Sequence, residues 1–358
     1  MKIKVLVIDD SSLIRSIITA IVNEQSDMVV VGGAPDPLAA RDMIRALNPD
    51  VLTLDIEMPH MNGLSFLKRL MRVRPMPVVM LSSHTQQGSD IAFRALTLGA
   101  VDFVAKPQLG AGTQDAEDYA RSIVEAIRGA HAARDNLRPL DPSRAPDAEV
   151  VLPALGNDAI GTSRVVVVGA STGGAEALRE IMPALPADCP PVLIALHLSA
   201  AFTRHLAGRL DAICKTTVKV PVDGEPALPG HVYLAPGDAH MTVQRYGSRG
   251  FGIRLQPGAP RPSVDLLFAS AAEQAGADAI GVILTGNGDD GAEGLLEMRN
   301  AGAHTIAQDE ETCIVHGMPR AATERGAVAE TAPLARIPFL VLGRFAAESR
   351  DSVESAAA

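Results

Sequence analysis

The chain opens as a series of short, unbroken apolar runs separated by amphipathic stretches. Val5 to Ile8, Met28 to Val31, Val51 to Leu54, Val78 to Leu81 and Val101 to Ala105 are each rich in Val, Ile or Leu and too short for a helix. Unbroken runs of this length predict strands buried on both faces, as in a parallel sheet. Ser12 to Gln25 and Gly63 to Val73, lying between such runs, predict amphipathic helices. Five strands with intervening helices predict a doubly wound α/β domain. From about Gly129 to Ser163 the texture changes to Ala, Arg, Asp and Pro, with Pro139, Pro142, Pro146 and Pro153 interrupting any regular element. This predicts an interdomain linker, helical at its start. The alternation then resumes, with strands over Val165 to Val168, Val192 to Leu196 and Ala279 to Leu284 and a helix over Gly174 to Met182. Frequent Gly and Pro in this half predict long functional loops.

A length of 358 residues fits two such domains. Only 3% of residues are aromatic, none is Trp, and the formal net charge is -10, so the electrostatic footprint of a nucleic-acid binder is missing. With no helix-turn-helix pattern and no basic face, a transcriptional regulator is disfavoured. Cys189, Cys214 and Cys313 are odd in number and widely spaced, which predicts buried thiols rather than a disulfide framework or metal site. No apolar run approaches the ~18 residues that cross a bilayer. The first apolar stretch is too short for a signal peptide and is followed at once by acids. The expectation is a cytoplasmic protein without membrane insertion.

Chemistry enters at the ends of the apolar runs. Asp9 and Asp10 end the first strand, Asp55 the third and Lys106 the fifth, and Ser82 follows the fourth. The carboxyl ends of parallel strands share one edge, where ligands bind at the switch point of the sheet. Clustered carboxylates repel one another and need a cation, and carboxylates combined with water suit Mg²⁺. A carboxylate beside that ion can attack a phosphoryl donor and form an aspartyl phosphate. Lys106 would balance the incoming charge, and the Ser82 hydroxyl would bond a phosphate oxygen.

In the second half, Val165-Val166-Val167-Val168 runs directly into Gly169-Ala170-Ser171-Thr172-Gly173-Gly174. The dinucleotide fingerprint fails because Ser171 stands where its second glycine belongs, and the lysine of a P-loop is missing. The segment does fit G-x-S-x-G, a nucleophile elbow, with the Thr172 N–H as an oxyanion donor. His197 closes the run Val192 to Leu196, 26 residues after Ser171. Adjacent parallel strands would bring it to the same edge as a general base. His205 and His240, the latter assigned to a loop, are further imidazoles that could approach. A carboxylate to orient the histidine is offered by Leu284-Thr285-Gly286-Asn287-Gly288-Asp289-Asp290-Gly291. The spacing does not match a Ca²⁺-binding EF-hand, and chemistry alone does not separate Asp289 from Asp290.

These motifs also carry a resemblance. Val7-Ile8-Asp9-Asp10, Thr53-Leu54-Asp55-Ile56-Glu57-Met58-Pro59, Met61-Asn62-Gly63 and Val104-Ala105-Lys106-Pro107 resemble the receiver domain of two-component response regulators. In the second half, the elbow, Leu196-His197-Leu198 with Phe202-Thr203, Tyr233 to Asp238, Arg261-Pro262-Ser263-Val264-Asp265, Leu284 to Gly291 and Val315-His316-Gly317-Met318-Pro319 resemble the chemotaxis protein-glutamate methylesterases, the CheB family. The resemblance implies a flavodoxin-like receiver over residues 1–125, a linker over 126–162 and a doubly wound parallel α/β catalytic domain over 163–350. It implies phosphorylation of Asp55 by a histidine kinase, Mg²⁺ held by Asp9, Asp10 and Asp55, and phosphoryl sensing by Ser82 and Lys106. It further implies a triad of Ser171, His197 and Asp290, with backbone oxyanion donors at Thr172 and Asn287 and no cofactor for ester hydrolysis. The implied substrates are γ-glutamyl methyl esters on chemoreceptors, with possible deamidation of receptor glutamines. An unphosphorylated receiver covering the Ser171 cleft is the expected switch. Asn62, Leu196, Leu198 and Asn287 depart from the usual family residues. The competing readings are a non-catalytic nucleotide-binding or interaction output domain, and an esterase serving a chemosensory array unrelated to motility.

Overall fold

The computed structural model describes residues 1–58, 62–82, 86–107, 113–137, 164–246, 250–258 and 261–344. The chain divides into two compact units, residues 1–144 and 145–358. The linker expected over 126–162 falls for the most part outside the described residues.

In the first unit, strands β1 (Ile3–Ile8), β2 (Met28–Ala34), β3 (Val51–Asp55), β4 (Val78–Ser82) and β5 (Asp102–Ala105) alternate with helices α1 (Ser12–Asn23), α2 (Pro37–Leu47), α3 (Gly63–Val73), α4 (Gln86–Thr97) and α5 (Thr113–Ala132). The strands form one parallel sheet in the order β2-β1-β3-β4-β5. Its core strands carry no polar alternation because both faces are covered: every residue of β3 and β4 is buried. Local signals start the helices. Ser11 caps α1 and Asp36 caps α2, with Pro37 in the first turn, and Asn62 accepts from the N–H groups of Leu64 and Ser65 at the start of α3. Asn62, a departure from the family residue, therefore serves as a helix cap.

Two strand expectations need correction here. β1 stops at Ile8 and β5 at Ala105, so Asp9, Asp10 and Lys106 lie in the loops just past the strands. β2 runs three residues further than its Met28 to Val31 apolar run, its edge position tolerating Gly32 and Gly33. α5 continues through an Ala-rich stretch to Ala132, a helical start to the segment that follows Gly129.

The second unit holds β6 (Val165–Ala170), α6 (Gly174–Ile181), β7 (Val192–Leu196), α7 (Ala200–Asp211), β8 (Thr217–Lys219), β9 (Pro226–Ala227), β10 (His231–Leu234), β11 (Ala239–Tyr246) and β12 (Gly250–Pro257). It continues with α8 (Val264–Gln274), β13 (Ala279–Ile283), α9 (Ala292–Asn300), β14 (His304–Gln308), α10 (Met318–Glu324) and β15 (Glu330–Ala332). Seven strands form a parallel sheet in the order β15-β14-β13-β6-β7-β10-β8. β6 sits at its centre because the chain winds outward through β7 and then returns to the other side through β13. That reversal opens a crevice at the carboxyl ends of β6 and β13. A three-stranded antiparallel sheet, β11-β12-β9, was not foreseen. α8 packs between this sheet and β6, so Val167, Val243, Phe251, Ile253, Val264 and Phe268 share one core. His240, expected in a loop, stands on β11.

Candidate active site

The first polar cluster lies at the switch point of the five-stranded sheet. Carboxylate oxygens of Asp9, Asp10 and Asp55 lie within 4.8 Å of one another, with Asp9 and Asp55 buried and Asp10 exposed. Lys106 Nζ lies 2.9 Å from Asp9 Oδ2 and 2.7 Å from Asp55 Oδ2. These ion pairs are short, yet neither oxygen receives a hydrogen bond of good geometry. The outer oxygens are served by backbone: Ser11 N–H donates to Asp9 Oδ1 and Glu57 N–H to Asp55 Oδ1. Two buried carboxylates that share one lysine, beside an exposed third acid, fit a hard cation that keeps several waters. Ser82 ends β4, fully buried, and its carbonyl accepts the Lys106 N–H at 2.7 Å.

Burial pushes the Asp55 carboxyl up to about 6, with Asp9 adding to the rise and the Lys106 ammonium opposing it. A carboxyl raised above its ordinary 3.8 costs stability once ionised. The penalty is full above about pH 6 and vanishes below about pH 4, where folded and unfolded chains are both protonated. In buffer free of divalent cations, Asp55→Asn should therefore stabilise the receiver by up to about 3 kcal/mol near pH 8. The gain should fade as pH falls through 6; denaturant unfolding of the full chain at both ends of this range checks it. Equal gains at both would show that the charge of Asp55 is not the cause.

The second cluster forms where β7, β6 and β13 end side by side. Ala170 pairs with Leu196, so the next residues, Ser171 and His197, are neighbours. The His197 N–H donates to the Ala170 carbonyl, and the Ser171 N–H to the Thr285 carbonyl beyond β13. His197 Nδ1 lies 3.2 Å from Ser171 Oγ, and His197 Nε2 lies 2.8 Å from Asp290 Oδ2. Ser171 is partly exposed, while the His197 side chain is only 7% exposed. With Nε2–H donating to the carboxylate, Nδ1 is left as the acceptor for the serine proton. Asp289 and Asp290, inseparable by sequence, separate by geometry: Asp289 is exposed and pairs with Arg325 at 3.0 Å. Of the other two imidazoles, His205 is on α7, and His240 Nδ1 accepts the Ser263 N–H.

Burial would raise the Asp290 carboxyl. The hydrogen bond and charge of His197, together with the N–H groups of Asp265 and Val264, outweigh it and hold Asp290 well below the usual carboxylate range. Asp290 is thus an anion at any pH where His197 could act as a base. Burial pushes the thiols of Cys189 and Cys214 up to about 12, so neither competes as a nucleophile.

The elbow depends on its glycines. Gly173 has φ +81°, and a Cβ there would also lie 2.8 Å from Ile314 Cβ. Gly286 lies against Ser171: a Cβ would fall 2.2 Å from Met318 Sδ, 2.9 Å from Ser171 Cβ and 3.0 Å from Ser171 N. The Gly286 carbonyl accepts from the N–H groups of Gly317 and Met318. Among the described residues, the next N–H, that of Asn287, has no acceptor. Gly286→Ala should leave the chain folded and lower kcat by about ten-fold to a hundred-fold through displacement of Ser171; ester hydrolysis at matched circular dichroism measures it, and unchanged kcat would mean that Gly286 does not set the position of Ser171.

Sequence reasoning overlooked Thr285 and Gln308. The Thr285 hydroxyl accepts the Val315 N–H and lies 3.0 Å from the Thr172 carbonyl and 3.2 Å from that of Val315, while its N–H donates to Gln308 Oε1. Both residues are buried and tie the elbow to the Cys313–Met318 loop. A polar pair at the ends of two apolar strands was the available signal.

Comparison with known proteins places the chain in a family. The family model described as CheB methylesterase matches residues 166–341, and that of the response regulator receiver domain matches residues 5–112. Over 353 residues the chain is 52% identical to the protein-glutamate methylesterase/protein-glutamine glutaminase of Chromohalobacter salexigens, covering 98% of each chain. The chain belongs to the CheB methylesterase family. A namesake from Bordetella pertussis is 54% identical over 348 residues, covering 96% of this chain and 97% of the relative. The crystal structure of the Thermotoga maritima CheB methylesterase catalytic domain is 38% identical, with a TM-score of 0.49, and covers 50% of this chain and 97% of that one. Family membership joins a receiver to an ester hydrolase in one chain, and the non-catalytic output domain is not favoured.

Proposed function

We propose that this chain hydrolyses γ-glutamyl methyl esters on the cytoplasmic helices of chemoreceptors, deamidates receptor glutamines at the same site, and works faster when Asp55 is phosphorylated. The observation that carries the reading is the hydrogen-bonded line from Ser171 through His197 to Asp290, at 3.2 and 2.8 Å, on the carboxyl edge of the sheet.

Ser171 Oγ attacks the ester carbonyl while its proton passes to His197 Nδ1. Asp290 holds the imidazolium through Nε2. The N–H groups of Asn287 and Thr172 serve the oxyanion, each such donor contributing on the order of 3 kcal/mol. His197 returns the proton to the leaving oxygen, and methanol departs. Water, deprotonated by His197, then splits the acyl-enzyme and leaves a free glutamate. A glutamine follows the same path with ammonia leaving.

In the receiver, Asp55 takes the phosphoryl group from the phosphohistidine of a histidine kinase. Asp9, Asp10 and Asp55 are the residues that would hold Mg²⁺, which when bound offsets the charge of the phosphoryl oxygens. Lys106 supplies the protein's own positive charge, and Ser82 at the end of β4 supplies the hydroxyl that senses the phosphoryl group. Such substrates and such a kinase place the protein in the cytoplasm; among the described residues no helix is long and apolar enough to cross a membrane.

Incubation with a methylated receptor fragment tests the reading. Methanol release with conversion of methyl glutamate to glutamate is expected. A receptor that stays methylated while binding the protein would point instead to an interaction module.

A further inference from the structure

The segment Arg261 to Asp265 has no place in the chemistry above, yet it surrounds the triad acid. Ser263 caps α8, accepting the Leu266 N–H, and its hydroxyl donates to Asp290 Oδ1 at 3.2 Å. The Asp265 N–H donates to the same oxygen at 2.9 Å, and the Val264 N–H donates to Asp290 Oδ2 at 3.0 Å. With His197, both oxygens of Asp290 have two donors. The exchange is reciprocal. Asp290 precedes α9, whose cap Gly291 has no side chain, and Asp265 Oδ1 accepts the Gly294 N–H of that helix at 2.8 Å. Each helix thus supplies the carboxylate that caps the other. His240 completes the frame by accepting the Ser263 N–H at 3.0 Å.

We infer that Ser263 and Asp265 are positioning residues for ester hydrolysis: the first turn of α8 fixes the Asp290 carboxylate and sets how tightly it grips a protonated His197. The inference rests on the triad reading. Each donor draws charge from the carboxylate, and a carboxylate with fewer donors holds the imidazolium more firmly. The charged and titratable groups facing Asp290 are few. His197 comes from the end of β7, and Asp265 from α8. The adjacent Asp289 is turned to Arg325, and His240 on β11 accepts the Ser263 N–H. Burial and the neighbouring Asp290 raise the Asp265 carboxyl while the Gly294 N–H opposes the rise, so Asp265 is the member of the pair that takes up a proton first.

The test is the pH profile of kcat/KM for methyl ester hydrolysis by the full chain, together with an NMR titration of the His197 ring. Ser263→Ala should move the acid limb and the ring titration upward by about half a pH unit or more and lower kcat several-fold. Ser263→Thr keeps the hydroxyl and should restore both. Asp265→Ala should lower kcat about ten-fold at unchanged KM, and Asp265→Asn, whose amide oxygen still accepts from Gly294, should recover most of it. Loss of kcat in Ser263→Ala with acid limb and ring titration unmoved, or an Asp265→Asn variant no better than Asp265→Ala, would overturn the inference. Ser171→Ala run alongside separates the two claims: if it stays active the triad reading itself fails, and if it is dead while the limb does not move, only the positioning role fails.

Discussion

Ser171→Ala should lower methanol release by about 10⁴-fold to 10⁶-fold. The step lost is the covalent one: without Oγ, no acyl-enzyme forms, and His197 can at best activate a water held by the remaining oxyanion donors. The change should cost the fold little. The side chain is partly exposed, and the backbone bond from Ser171 N–H to the Thr285 carbonyl does not depend on it. Phosphorylation of Asp55 should proceed as in the wild type. Methanol release under saturating receptor substrate gives the number. A loss smaller than ten-fold would move the nucleophile elsewhere.

Asp290→Asn should cost nearly as much, about 10³-fold to 10⁴-fold in kcat. All four groups around the wild-type carboxylate are donors: Ser263 Oγ and Asp265 N on Oδ1, Val264 N and His197 Nε2 on Oδ2. A carboxamide has one oxygen and one NH₂, so one pair of donors must face the amide nitrogen. If the NH₂ faces His197, Nε2 becomes an acceptor, the ring proton moves to Nδ1, and the base beside Ser171 is gone. If it faces the other way, it opposes the Asp265 N–H and disturbs the first turn of α8. Either orientation withdraws the anion that stabilises the imidazolium. Single-turnover kinetics should show slow acylation with little change in binding. Normal acylation would mean that Asp290 only supports the fold.

The parallel sheets were legible because strands such as β3, β4 and β6 are buried throughout and are mostly apolar, dominated by Val and Leu. The strand–turn–helix at Ser171 and the step of 26 residues to His197 were legible for the same reason: strand neighbours in a parallel sheet share an edge. The antiparallel sheet was not. β11 does alternate, with Ala239, Met241 and Val243 inward, but Ala and Thr make weak contrast, and this chain has few aromatics to sharpen it. Asp289 and Asp290 could be told apart only by the direction in which the loop presents them. Ser263 and Asp265 were visible as part of a motif, yet their role rests on contacts 27 and 25 residues away in sequence, which no local pattern encodes.

The central claim is that one chain couples an aspartyl phosphate at Asp55 to ester hydrolysis at Ser171. Methanol release from a methylated receptor fragment, measured with and without a small phosphoryl donor and Mg²⁺, tests it most directly. The wild type should accelerate on adding the donor, Asp55→Ala should keep only the basal rate in both conditions, and Ser171→Ala should stay at its residual rate in either. Equal rates for the wild type with and without donor, at full phosphorylation of Asp55, would contradict the coupling.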